Sequence, residues 1–198
     1  MPHEHKFTDV VHHGVFLVAI LSAIIVLVER QMTMPEPMKL EELPVKLQEW
    51  RKQGDFVEVN GFNMFVVQIA PKEADDTVVF FHGFPTSSFD YVKPLEHLRK
   101  AFPKKRLVFF DHVGFGFSDR PLEDYEYTLH DHAENALGLL RKLKIKSAHI
   151  VAHDMGDSVV TEILSRRHLK LLPDHFDGFF KVREAFFLNC ESTQFFRA

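Results

Sequence analysis

The residues best suited to chemistry in this chain are Ala152-His153-Asp154-Met155-Gly156, set between an apolar run, His149–Ala152, and a stretch of helical spacing from Asp154 to about Leu171. A strand that turns sharply into a helix holds the residue at its apex out of the sheet, provided that small residues stand two before and two after it. Ala152 and Gly156 occupy those places. Serine is the usual occupant of such an elbow. An aspartate there is ionised at neutral pH, because an unperturbed side-chain carboxyl has a pKa of about 3.9, and it attacks without a base. A carboxylate nucleophile suits a saturated carbon bearing a leaving group, such as an epoxide or an alkyl halide, and the product is an alkyl ester of Asp154. The competing role is structural: Asp154 would cap the helix Met155–Leu171, a common duty of aspartate. His82-Gly83-Phe84-Pro85 follows directly on the apolar run Thr77–Phe81. On its own it reads as a Gly-Pro turn, and a cis bond before Pro85 would aim the Phe84 amide inward. A third segment, Asp111 to Pro121, carries Gly114 and Gly116 at alternate positions, which suits a tight loop. It lacks a third glycine and opens no helix, so it is a structural loop and not a dinucleotide-binding turn.

The elements that must position these residues alternate along the chain. Asp55–Val59 and Asn63–Ile69 flank Asn60-Gly61 and predict a hairpin. Thr77–Phe81, Leu107–Phe110, His149–Ala152 and Val182–Leu188 read as buried strands, the last of them the final strand and the sixth in order. Between them, Ser88–Ala101 has helical spacing (Val92, Leu95, Leu98). Thr128–Leu143 predicts a helix with Thr128 as its cap and Asp131 three residues on. Strands separated by helices imply parallel pairing with right-handed crossovers. The expected fold is a doubly wound α/β sheet with an antiparallel start.

The whole chain has 198 residues, 45% hydrophobic and 26% charged, with a net charge of −4. That composition is globular. No basic patch with interleaved aromatics appears, which argues against nucleic acid as a partner. Cys190 is the single cysteine, so no intrachain disulfide forms. His3 and His5, or His12 and His13, are too few and too isolated to hold a metal, and no cofactor is implied. From Val10 to Val28 the sequence reads VVHHGVFLVAILSAIIVLV. At 1.5 Å per residue this run approaches the roughly 30 Å thickness of a bilayer's hydrocarbon core. It is therefore expected to be a transmembrane anchor, with a cleaved signal peptide and a buried core helix as the alternatives, after a tail over 1–9 and before a juxtamembrane linker over 29–53. Cations are denser after the span than before it, which places the following domain on the cytosolic side.

HGFPTSSFDY, DHVGFGFSDRP and AHDMGD, in that order and spacing, resemble the α/β-hydrolases with an aspartate nucleophile, a group that includes epoxide hydrolases and haloalkane dehalogenases. The resemblance implies that the backbone amides of Phe84 and Met155 form the oxyanion hole around Asp154. His82 and His153, with Gly83, Pro85 and Gly156, would support that hole as hydrogen-bonded neighbours. Haloalkane dehalogenases usually carry Asn and Trp where Phe84 and Met155 stand, and the latter side chains donate nothing to a halide. An epoxide hydrolase is thus the leading chemistry, with a small hydrophobic epoxide- or ester-like substrate. Asp157 departs from the glycine often found there and matches a membrane-associated type within the group, which implies lipid contact through the anchor and residence in the endoplasmic reticulum. Residues 54–198 would be the front part of the hydrolase fold, lacking lid, late strands and the histidine that follows them; Glu191 is the candidate triad acid. Such a chain is expected to form the ester on Asp154 without turning it over. The alternative is a non-catalytic, membrane-bound protein that binds a partner through the same fold.

Overall fold

A computed structural model describes residues 18–25, 38–71, 76–123, 125–171, 181–188 and 193–197, the last two stretches as backbone. Contacts divide the chain into two compact units, Met1–Leu43 and Pro44–Ala198. In the first unit the described part of α1, residues 18–25, is helical, and Leu40–Glu42 forms a 3-10 turn. No helix among the described residues is long and apolar enough to cross a membrane. Of the span expected over 10–28, positions 10–17 and 26–28 lie outside the described residues.

The second unit is built on a seven-stranded sheet of order β1-β2-β4-β3-β5-β6-β7. Its strands are β1 (Gly54–Val59), β2 (Phe62–Ile69), β3 (Asp76–Phe81), β4 (Lys105–Phe110), β5 (Ser147–His153), β6 (Lys181–Leu188) and β7 (Thr193–Arg197). β1 and β2 form the expected hairpin, turning through Asn60 at φ 52° and Gly61 at φ 87°. β3, β4, β5 and β6 pair in parallel, and β2 and β7 bound them with antiparallel partners. The parallel strands are near-continuous apolar runs because both of their faces are covered. Alternate residues serve opposite layers. Val79, Phe81, Val108, Phe110, Ile150 and Ala152 pack with α4 (Leu129–Lys142) and α5 (Met155–His168). Val78, Phe80, Leu107, Phe109 and Val151 pack with Trp50 of α2 (Val45–Lys52) and with Tyr91. In that second layer Phe80 stacks on Phe109 at 4.4 Å.

Three expectations are corrected. The segment 29–53 is not a linker throughout, because Val45–Lys52 is a helix whose Trp50 is 1% exposed and donates its indole N–H to Ser88 Oγ at 3.1 Å. Ser88–Ala101 is not one helix: a 3-10 turn over Ser88–Val92 gives way at Pro94, and α3 begins at Leu95. Pro94 has no N–H to continue a helical ladder, whatever the apolar spacing beyond it. Nor is β6 the final strand, since β7 returns antiparallel to it. The helix after Thr128 is as expected, with a reciprocal capping box between Thr128 and Asp131.

Candidate active site

β5 ends at His153 and α5 begins at Met155, so Asp154 makes the whole turn, with φ 54° and ψ −119°. A non-glycine residue in that region stores about 1–3 kcal/mol of backbone strain, which the surrounding structure must hold. The neighbours explain how. A Cβ on Gly156 would lie 2.6 Å from the Phe81 carbonyl oxygen, so α5 starts flush against the end of β3. A Cβ on Gly83 would lie 2.7 Å from Cβ of Asp154, so the loop after β3 passes directly over the apex. Both contacts demand glycine.

The same loop brings a donor to the carboxylate. The Phe84 N–H donates to Asp154 Oδ1 at 2.8 Å, and the Met155 N–H donates to the same oxygen at 2.6 Å. Among the described residues nothing donates to Oδ2. The Phe84 amide first, then the Met155 amide, hold the Asp154 carboxyl below its ordinary pKa, so it is an anion at neutral pH. The Phe84–Pro85 peptide bond is cis. The Phe84 side chain is 65% exposed beside Phe115, its ring centroid 6.1 Å away, and gives the apex an apolar flank.

Behind the apex, His82 braces the rim. Its Nε2 accepts the His112 backbone N–H at 2.9 Å, which leaves Nδ1 to carry the proton donated to the Gly83 carbonyl, also at 2.9 Å. Burial lowers its pKa, consistent with this neutral tautomer. His153 was expected to hydrogen-bond the rim as well. Its ring makes no hydrogen bond among the described residues and packs over Gly83 instead, where an added Cβ would meet Nδ1 at 3.0 Å. Glu191 lies outside the described residues. The glycine-bearing loop after β4 is anchored by buried Asp111, whose Oδ1 accepts the Ser88 N–H and whose Oδ2 accepts the Phe117 N–H, each at 2.8 Å.

Two buried groups were not singled out for the site by sequence reasoning. Asp157, one turn beyond Asp154 on α5, is 8% exposed with neither carboxylate oxygen hydrogen-bonded among the described residues, and burial pushes its pKa up to about 6. Its signal in the sequence is a charge on a helix face otherwise filled by Val160 and Ile163. His112 is fully buried with both ring nitrogens unpartnered, between His82 and His132 at ring distances of 4.7 and 5.2 Å. Burial, and then those two histidines, hold it well below its ordinary pKa. Nothing in the local sequence distinguishes it from a loop histidine. Among the described residues no cluster of side chains suits a metal ion.

Comparison with known proteins gives this geometry a context. Residues 76–180 match the family model described as the alpha/beta hydrolase fold. The chain is 36% identical over 128 residues to the mesoderm-specific transcript homolog protein of Bos taurus, an alignment covering 63% of this chain and 37% of that protein. A solved epoxide hydrolase mutant from Vigna radiata superposes with a TM-score of 0.54 at 25% identity, over 67% of this chain and 36% of that one. A haloalkane dehalogenase from Agrobacterium tumefaciens C58 shares the fold, with a TM-score of 0.52 at 24% identity over 68% of this chain and 40% of that one. The chain thus spans well under half the length of the proteins it matches.

Proposed function

The chain belongs to the α/β-hydrolase fold family, and on that premise we propose that Asp154 is the nucleophile in ring opening of a small hydrophobic epoxide. The observation that carries this reading is the division of labour between the two carboxylate oxygens. Oδ1 is fixed by two backbone donors, and Oδ2 is left to react. In the first step an Oδ2 lone pair forms a bond to a ring carbon, the C–O bond of the ring breaks, and the alkoxide takes a proton from water. The carbonyl oxygen of the resulting ester is then Oδ1. Addition of hydroxide at Cγ would place negative charge on that atom, within reach of the Phe84 and Met155 amides, which need no rearrangement to receive it.

Phe84 and Met155 offer no side-chain donor to a departing halide, which favours an epoxide over an alkyl halide. The exposed Phe84 ring suits a hydrophobic substrate. Of the histidines near the apex, His82 has both ring nitrogens engaged and His112 is sealed from solvent. Neither is placed to activate a water, and His153 packs its ring over Gly83. On the described residues an ester formed on Asp154 is therefore expected to persist. Anchoring through residues 10–28 in the endoplasmic reticulum membrane, with the hydrolase unit on the cytosolic side, belongs to the same proposal. It is supported by the uncharged run and by the exposure of Val18, Leu21, Ile24 and Ile25 in α1.

The test is intact-mass measurement after exposure to a panel of small epoxides, with peptide mapping of any adduct and Asp154→Asn as control. One adduct per chain, mapped to Asp154 and absent from the variant, is the expected result. An equal adduct or equal diol release in the variant overturns the assignment, and diol release without an adduct, confined to the parent, overturns the persistence of the ester.

A further inference from the structure

Because β3, β4 and β5 run parallel, their C-terminal ends carry Asp154 and their N-terminal ends form a second rim, about 20 Å away across strands of six or seven residues. On that rim lies a cavity of about 430 Å³ lined by Asp76, Thr77, Arg106, Lys144, Lys146 and Ser147. The lining comes from three separate parts of the chain: the start of β3, the start of β4, and the turn between α4 and β5. Lys144 holds that turn at φ 58°.

The charge of this cavity is unbalanced. Asp76 is its one described carboxylate, and it is already engaged. Oδ1 accepts the Thr77 N–H at 2.8 Å, while Oδ2 lies 3.0 Å from His149 Nε2 and 3.6 Å from Lys105 Nζ. Arg106 is held in place by the Leu143 carbonyl at 3.4 Å and by the Gln68 side chain, neither of which cancels its charge. Burial of that half-covered guanidinium lowers its pKa, a penalty that a bound anion would relieve. Lys144 and Lys146 are exposed and form no ion pair among the described residues. The flanking sequence adds Lys104, Lys105 and Lys142 against Glu73 and Asp75, so cations outnumber acids around this rim although the chain as a whole carries −4.

We propose that this rim cavity binds a phosphate monoester group, held by Arg106, Lys144 and Lys146 with the Thr77 and Ser147 hydroxyls as further donors. Three cations and two hydroxyls match a group with nearly two negative charges and three acceptor oxygens better than they match a single carboxylate. The planar fork of Arg106, fixed from behind, supplies paired N–H donors, while the lysines act as mobile point charges. The proposal is independent of the reaction at Asp154, because no residue is shared between the two ends of the sheet.

The test titrates the full chain in detergent with glycerol 3-phosphate, using glycerol as the uncharged control, and follows the backbone amide shifts of Thr77 and Lys144–Ser147 by NMR. Saturable shifts confined to these amides are expected. In Lys144→Gln/Lys146→Gln the affinity should fall about tenfold or more with the unfolding midpoint unchanged, as expected for lost charge-assisted contacts. Higher salt should weaken binding, because these cations are partly exposed. Nanodiscs of phosphatidylcholine with and without a phosphoinositide monophosphate distinguish the source of the group. Saturation by the soluble ester assigns a free metabolite, whereas shifts seen only with phosphoinositide discs, and lost in the double variant, assign a lipid headgroup. Two results overturn the proposal: no saturation by either source, or binding that is unchanged in the double variant.

Discussion

Substituting Gly156 by alanine tests the elbow without touching the carboxylate. The new Cβ would lie 2.6 Å from the Phe81 oxygen, 2.8 Å from the His82 oxygen and 2.9 Å from the Phe81 carbonyl carbon. All three are backbone atoms, and the Phe81 carbonyl is pinned further by the hydroxyl of buried Tyr91 at 2.9 Å. No flexible side chain can yield, so the start of α5 must lift away from β3. Overpacking of this kind costs about 2–3 kcal/mol. Alanine's better helix propensity returns at most about 1 kcal/mol, leaving a net loss of about 1–2 kcal/mol. For a unit of this size that lowers Tm by about 2–8 °C. The same displacement draws the Met155 N–H off Oδ1, so ester formation should slow together with the loss of stability. Thermal unfolding and adduct mass spectrometry read the two effects on one sample. Gly61→Ala is the matched control. It has no atom within 4 Å of the added Cβ and a φ of +87°, so it should cost about 1 kcal/mol from backbone strain and leave the adduct rate alone. A Gly156→Ala protein as stable as the parent, or one that alkylates at the parental rate, would show that the close approach of α5 to β3 does not set the elbow.

Three other outcomes are expected. Asp157, with its carboxyl raised from 3.8 to about 6, binds its proton more tightly when folded, so stability falls as pH rises from about 4 through 6 and the full penalty is present at pH 7. Asp157→Asn should remove that fall and gain about 1–2 kcal/mol on the parent above pH 6, read by urea unfolding at several pH values. Asp111→Ala orphans the amides of buried Ser88 and half-buried Phe117 and should cost about 2–4 kcal/mol by the same assay. Trp50→Ala empties a fully covered site in the layer behind the sheet, and a loss of about 3–5 kcal/mol in chemical denaturation is expected.

Much of the front of this molecule was legible because its turns dictate residue types. Asn60-Gly61 marks the hairpin through positive φ, and Ala152 and Gly156 mark the elbow through lack of space. The Phe84 and Met155 amides followed from the family resemblance, and both donate to Asp154 Oδ1. What escaped is what depends on tertiary packing. Val45–Lys52 buries only Trp50 and sits beside a proline-rich segment, so its helical pattern is faint. Lys93-Pro94 breaks a stretch whose apolar spacing continues unbroken, so the spacing alone implies a single helix there. The return of β7 rests on pairing with β6 and not on any run of its own. Asp157 looked like a family variant until its burial was known. The cationic cavity joins positions 76, 106 and 146, and only the charge runs Lys104–Arg106 and Arg141–Lys146 hint at it.

The brace between His82 and His112 sets how the rim moves. The His112 amide belongs to no strand ladder, yet it is bonded to a buried ring and is itself fully covered. An amide in an ordinary loop exchanges its hydrogen with solvent through small local openings, whereas this one is released only when the imidazole leaves its slot. Its exchange should therefore keep pace with the central strands and not with the loops around it. The two loops that frame the apex then form one cooperative unit with the sheet. Asp154 itself is already exposed, so a substrate reaches the carboxylate without any opening of this brace.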